Sequence, residues 1–266
     1  MSTTCHYPTD VSDAQWEVLQ LVLPPPTWRP GSPGRKPMDL RRGIHGLFSV
    51  HKTGCHWRML LTPIGHAHTM YGSFRRWRRA GVWARGMDTL RPWEGQSQGR
   101  LPAPSAGCTE SQSSKTATQE TEVGFDGHKQ IKGCKRPILV DTLGRMVAVV
   151  LTAAQTEDRL GVVTVVQRDF ASGVKRLRKL WVDGSYHAQW LCDWVRSRKQ
   201  THKGDREVVE HSGQGLQVVK HRGKVARTFA WLLKGRRHSR DDEVWTANSE
   251  AMIQISMIRL LLKRLA

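Results

Sequence analysis

Apolar positions recur at helical spacing through the first third of the chain. Trp16, Leu19, Val22 and Leu23 fall along one helix face, Asp10 or Ser12 stands ready to cap it, and Pro24, Pro25 and Pro26 follow. Proline has no N–H to give and clashes with the preceding turn, so the helix stops there. A basic Gly- and Pro-rich stretch over 29–37 reads as an arm. Ile44, Leu47 and Phe48 predict a second helix over 39–51, ended by Gly54, and a turn through Trp57 leads to a third over 69–79. Short helices joined by glycine turns suit a small all-α, helix-turn-helix-like domain over residues 1–90. Residues 91–106 are rich in Pro, Gly, Ser and Gln and predict a linker.

Beyond residue 107 the period changes. Residues 138–141 and 146–152 are apolar, β-branched runs around a Thr-Leu-Gly turn, which predicts a hairpin. A helix over 157–170, a strand over 180–183, a helix over 188–198, a strand over 216–219 and a helix over 225–233 follow. An amphipathic helix over 249–265 closes the chain through Met252, Ile253, Ile255, Met257, Ile258, Leu261 and Leu262. Antiparallel strands followed by alternating helices and strands predict an α/β fold, a ribonuclease-H-like mixed sheet with flanking helices over 107–266.

Charge narrows the function. Lys and Arg total 42 against 23 Asp and Glu, a formal charge of +19. Such an excess favours a polyanion, since each cation set against a phosphate releases condensed counterions. No run of 18 apolar residues is present and the start of the chain lacks a signal pattern, so a cytoplasmic, nucleoid-associated protein with no membrane partner is expected. Five scattered cysteines without a Cys-x-x-Cys pair fit a reducing compartment. Cys55 with His51 and His56 could suggest zinc, but further ligands at a usable spacing, two in all, are missing.

Three stretches carry candidate chemistry. Arg75, Arg76, Arg78 and Arg79 flank Trp77 on the third helix, a basic cluster suited to clamping a phosphate backbone, with Trp77 turned to the core. Asp183 ends a short strand before Gly184, where a carboxylate can bind a divalent cation or simply start a turn. From His211 to Arg240 there are eight Lys or Arg residues and no acid, a DNA contact or a solvated face.

The motifs then become specific. Gly54-Cys55-His56-Trp57-Arg58-Met59-Leu60 and Tyr71-x-x-Phe74-Arg75-Arg76-Trp77 come first. Ser111-Gln112-Ser113-x-Lys115-Thr116, Gly124-Phe125-Asp126-Gly127, Lys132-Gly133-x-Lys135-Arg136, Leu139-Val140-Asp141-Thr142-Leu143-Gly144 and Asp158-Arg159 follow. Asp183-Gly184-x-Tyr186, Arg227-Thr228-Phe229-Ala230-Trp231-Leu232 and Ser249-Glu250-Ala251-Met252-Ile253 complete the order. The set resembles the insertion-sequence transposases of family five, of the Asp-Asp-Glu class, from about Tyr7 to Ala266.

That resemblance implies a bacterial DNA transposase with a domain that recognises terminal inverted repeats and a ribonuclease-H-like catalytic domain, acting as a homodimer on double-stranded DNA and target site. It implies two divalent ions, Mg or Mn, held by three carboxylates for phosphodiester cleavage and strand transfer. Carried over residue by residue, the first position is Glu110 rather than Asp, the second is Asp183, and the third, a Glu in the family, is Ala226. The extra methylene moves the Glu110 carboxylate by roughly 1.5 Å, and Ala226 removes a ligand, so an impaired copy is expected. A non-catalytic DNA-binding remnant or repressor, and a nuclease that cuts without rejoining, are the alternatives. The candidate DNA contacts are Arg75, Arg76, Arg78, Arg79, Lys115, Lys132, Lys135, Arg136, Arg222, Arg227, Lys234, Arg236 and Arg237. His238 and Asp242 stand where the family carries Leu and Tyr, which places polar groups at positions expected to be buried.

Overall fold

Ser12 caps the first helix, α1 (Asp13–Leu19): its hydroxyl accepts from the Gln15 N–H at 3.2 Å, and the Gln15 side chain accepts from the Ser12 N–H at 3.4 Å. In this computed structural model residues 7–25, 28–29, 31, 33, 36–60, 65–116, 122–172, 177–183, 190, 193–194, 207–211 and 222–266 are described. Asp39 caps α2 (Leu40–Thr53), and Gly54 ends it in the left-handed conformation at φ 69°. A 3-10 turn over Trp57–Met59 precedes α3 (Ala67–Arg79). Leu19, Ile44, Leu47 and Phe48 are buried in this helical unit, as their spacing predicts, and so are Met70 and Phe74 of α3.

The linker expected over 91–106 is in its first half a helix. After Gly81, α4 runs Val82–Ser97 and buries Val82, Trp83, Met87 and Leu90, with Trp83 edge-on to Trp77 at 5.5 Å. Pro92 and the nearby glycines read as breakers, but a buried apolar stripe outweighs the lost hydrogen bond of one proline.

Among the described residues seven strands form one mixed sheet in the order β2-β3-β1-β6-β7, with β4 and β5 also on β3. They are β1 (Ala106–Lys115), β2 (Gly124–Asp126), β3 (Ile131–Asp141), β4 (Met146–Val149), β5 (Thr152–Ala153), β6 (Lys179–Asp183) and β7 (Glu207–His211). β1 is antiparallel to β3 and parallel to β6, and β6 is parallel to β7. This is a ribonuclease-H-like mixed sheet, the fold class that the sequence pattern predicts. The hairpin of β3 and β4 and the strand β6 also lie where predicted. The edge strand β7 was not read from the sequence, and the strand expected over 216–219 and most of the helix expected over 188–198 fall outside the described residues. On one sheet face α5 (Asp158–Ser172) packs Val162, Val163, Val165 and Val166 against Leu139, Val147 and Leu180. α6 (Arg222–Leu233) packs against β1 and β3. α7 (Thr246–Leu265) ends the chain.

The chain divides into two compact units: residues 1–99 with 234–239 and 251–266, and residues 100–233 with 240–250. The second half of α7 therefore counts with the helical unit, where Ile258 lies against Gly86. The expected boundary, with everything after 107 in one domain, missed this because the apolar stripe of α7 does not say which neighbour it will cover. Among the described residues no helix is long and apolar enough to cross a membrane.

Candidate active site and nucleic-acid surface

Side chains alternate across a strand, so Cys108 and Glu110 share one face of β1 while Gly107, Thr109 and Ser111 share the other. Gly107 lies on the α5 side, where a Cβ would stand 3.0 Å from Leu139 Cδ1 and 3.2 Å from Leu177 Cδ1. The Cys108 face is the one α6 covers. Burial pushes the Cys108 thiol up to about 11 against the opposing pull of the Lys224 ammonium, and burial likewise lowers Lys224. Glu110, half-buried, sits on this same face.

The parallel ladder between β1 and β6 pairs Ala106 with Lys179 and Cys108 with Trp181. The same register continued along both strands sets Glu110 level with Asp183, the last residue of β6. The turn expected over 184–186 falls outside the described residues.

The turn after β3 contacts α6 directly. Asp141, at the end of β3, accepts from the N–H groups of Leu143 (2.8 Å) and Arg145 (2.9 Å) and pairs with Arg145 Nε at 2.6 Å. Gly144 completes the turn at φ +79°. The Thr228 hydroxyl donates to Gly144 O at 2.7 Å, and Arg227 donates to Leu143 O at 3.2 Å while its guanidinium lies over the Trp231 ring at 5.0 Å. The Asp-Thr-Leu-Gly and Arg-Thr-Phe-Ala-Trp-Leu motifs, far apart in sequence, are thus two halves of one contact. On α6, Val225, Phe229 and Leu232 are buried and Ala226 is exposed. Lys224, beside Cys108, was missed by sequence reading, although it stands two residues before Ala226 in the motif region.

Two carboxylate positions on neighbouring strands match the oxygen ligands that Mg or Mn prefers. Among the described residues no group of three His, Cys, Asp or Glu side chains is placed to hold a metal ion.

The basic candidates separate by burial. Arg75, Arg76 and Arg79 are exposed on α3 and Arg78 is half-buried, while Trp77 packs inward. Lys115, Lys132, Arg227, Lys234 and Arg236 are exposed, and Arg222 opens α6. Three candidates are instead part of the interior, which corrects the expectation that they face DNA. Arg136 is 3% exposed and pairs with Asp241 at 3.5 Å. Lys135 reaches Asp158 at 3.1 Å and donates to Thr156 O at 2.7 Å. Arg237 is buried and donates to Cys55 O at 3.5 Å. Lys135 and Arg136 lie on the central strand β3, where helices cover both faces; the sequence showed their charge but not their position in the sheet. His238 is buried as expected, its ring 5.1 Å from His51. Asp242 is not: it stays half-exposed and pairs with Arg240 at 3.3 Å.

Residues 11–87 match the model of a transposase family of IS4/5 type, DUF4096, and residues 101–261 match the model of the transposase DDE domain. A curated relative, an insertion element IS402 uncharacterized 16.2 kDa protein from Burkholderia cepacia, is 37% identical over 78 residues, 28% of this chain. The match covers 53% of that relative, so the chain spans about half its length. No solved structure matches the chain.

Proposed function

Because the chain belongs to the transposases of IS4/5 type with a DDE domain, we propose that it binds the terminal inverted repeats of an insertion element and carries out metal-dependent DNA cleavage and strand transfer, weakly in this copy. What supports this reading is the parallel ladder of β1 and β6, whose last pair, Cys108 with Trp181, stands two residues before Glu110 on one strand and before Asp183 on the other. Glu110 and Asp183 are the residues that would hold Mg or Mn. Such an ion supplies charge stabilisation to the attacking and leaving oxygens of a phosphodiester. The chain's own work is to fix the two carboxylates on rigid strands, to hold α6 across their face through the turn at Gly144, and to meet phosphates with cations. Arg75, Arg76, Arg78 and Arg79 serve the repeats, and Lys115, Lys132, Arg222 and Arg227 serve the strand being cut. A homodimer on the DNA would present two such sites to the two element ends.

Ala226 favours a second reading, a remnant that keeps recognition and represses related elements without cutting. One experiment separates the two. Inverted-repeat duplex is incubated with the full chain in manganese, beside Asp183→Asn and Glu110→Gln. Slow cutting that both variants abolish supports the enzyme. Repeat-specific binding with no cutting supports the repressor, and cutting undiminished in Asp183→Asn overturns the assignment of the carboxylates.

A further inference from the structure

Three segments of the helical unit that are far apart in sequence meet around one end of α2. Lys52, in its last turn, donates to Lys234 O at 2.9 Å. Gly235 packs so closely on the His51 ring that a Cβ there would overlap Nε2. Phe48, one turn before Lys52, lies under the Arg259 guanidinium of α7 at 5.7 Å, and Lys263 follows Arg259 by one turn. Two ladders of i,i+4 residues, Phe48 with Lys52 and Arg259 with Lys263, thereby run beside each other, with Lys234 at their edge.

The charge on this face is one-sided. Segments 40–53, 234–239 and 251–266 contain nine Lys or Arg residues and no Asp or Glu. Arg41 and Arg264, in the same segments, are matched by Asp13 and Glu94 from elsewhere in the unit. Among the described residues no carboxylate pairs with Lys52, Lys234, Arg236, Arg259 or Lys263. Lys263 is pulled down first by Arg259, then by burial, Lys52 and Lys234, all unfavourable to its charge. His51 beneath them is held neutral, lowered to about 3 by burial, Arg259 and Lys52. Gathered cations with no counter-charge repel one another, and a polyanion relieves that repulsion.

We propose that Lys52, Lys234, Arg259 and Lys263 form a second phosphate-backbone surface for duplex DNA, additional to the arginines of α3. Trp77 of α3 packs against Gly43 near the start of α2, whereas Lys52 lies at its other end. At 1.5 Å per residue Gly43 and Lys52 stand about 14 Å apart along the α2 axis, within the same helical unit. The proposal rests on the DNA-binding reading above and gives residues 234–239 and the end of α7 a role in that binding.

The test is binding of a fluorescent duplex of about 30 base pairs to the full chain between about 50 and 200 mM salt. Three proteins are compared: the unaltered chain, the triple variant Lys52→Gln, Lys234→Gln and Lys263→Gln, and the α3 variant Arg75→Gln, Arg76→Gln and Arg79→Gln. The lysine variant is expected to bind about 10-fold more weakly, with a log–log salt slope flatter by about 2 to 3. It should keep its thermal midpoint, because removing like charges takes away repulsion. The matching Lys→Arg triple should bind as the unaltered chain does. A folded lysine variant with unchanged affinity and slope, beside an α3 variant that loses both, overturns this proposal and leaves the DNA-binding reading standing. An unaltered chain that does not bind duplex at all overturns that reading and this proposal together.

Discussion

Gly144→Ala tests whether the turn after β3 is what holds α6 over the candidate site. At φ +79° an L side chain costs about 1 kcal/mol. The new methyl would stand 3.1 Å from Thr228 Oγ1, 3.2 Å from the Trp231 ring and 3.3 Å from Lys224 O, all on α6. Relief requires α6 to move by a few tenths of an ångström. That lengthens the 2.7 Å bond from Thr228 to Gly144 O, a buried contact worth about 1 kcal/mol. The expected total is about 2 kcal/mol, or a midpoint lower by about 4–8 °C. Urea and thermal unfolding of the full chain measure it, and amide exchange should rise in α6 more than in α5. Gly31→Ala is the control, since Gly31 also has positive φ, +88°, but nothing near its Cβ. If Gly144→Ala lies within about 0.5 kcal/mol of the unaltered chain, or matches Gly31→Ala, the turn does not position the helix.

Three further outcomes follow from the same contacts. Ala226→Glu with Glu110→Asp should tighten manganese binding in calorimetry and raise magnesium-dependent cutting of inverted-repeat DNA by at least ~10³-fold; an inactive but folded double variant would show the third ligand position is not on α6. Asp241, which accepts from Ser249 Oγ at 2.6 Å and pairs with Arg136, should cost about 3 kcal/mol when changed to Ala, while Arg136→Met with Asp241→Leu should cost less. Additive losses in urea unfolding would show that the two side chains are not coupled. The folded-state pKa of His51 lies below its unfolded value, so the unfolded chain binds the extra proton between about pH 6.5 and 3. Its contribution to stability is full above that window and falls by about 1.4 kcal/mol per unit as pH drops through it, a slope that His51→Leu should flatten in urea midpoints.

Local rules were enough to read much of this chain. Ser12 caps α1 and Gly54 ends α2 because hydroxyl capping and left-handed backbone are properties of a few adjacent residues. The apolar period located α2, α3, α6 and α7, and the β-branched runs located β3, β4 and β6. Position along the chain also suggested Asp183 as a strand-end carboxylate. Its being level with Glu110, however, depends on a parallel ladder between strands 64 residues apart at their ends, and no local pattern sets that register. β1 escaped notice because Thr109, Glu110, Ser111 and Gln112 are polar on both faces, so its alternation is silent until the sheet forms around it. Charge counts told where Lys and Arg are abundant but not which are spent inside: Arg136 and Arg237 go to the interior, while Lys52 and Lys263 meet at one surface. Sequence fixes the chemistry each side chain carries; only packing decides whether a cation faces a carboxylate, another cation or solvent, because that choice rests on residues brought together from distant segments.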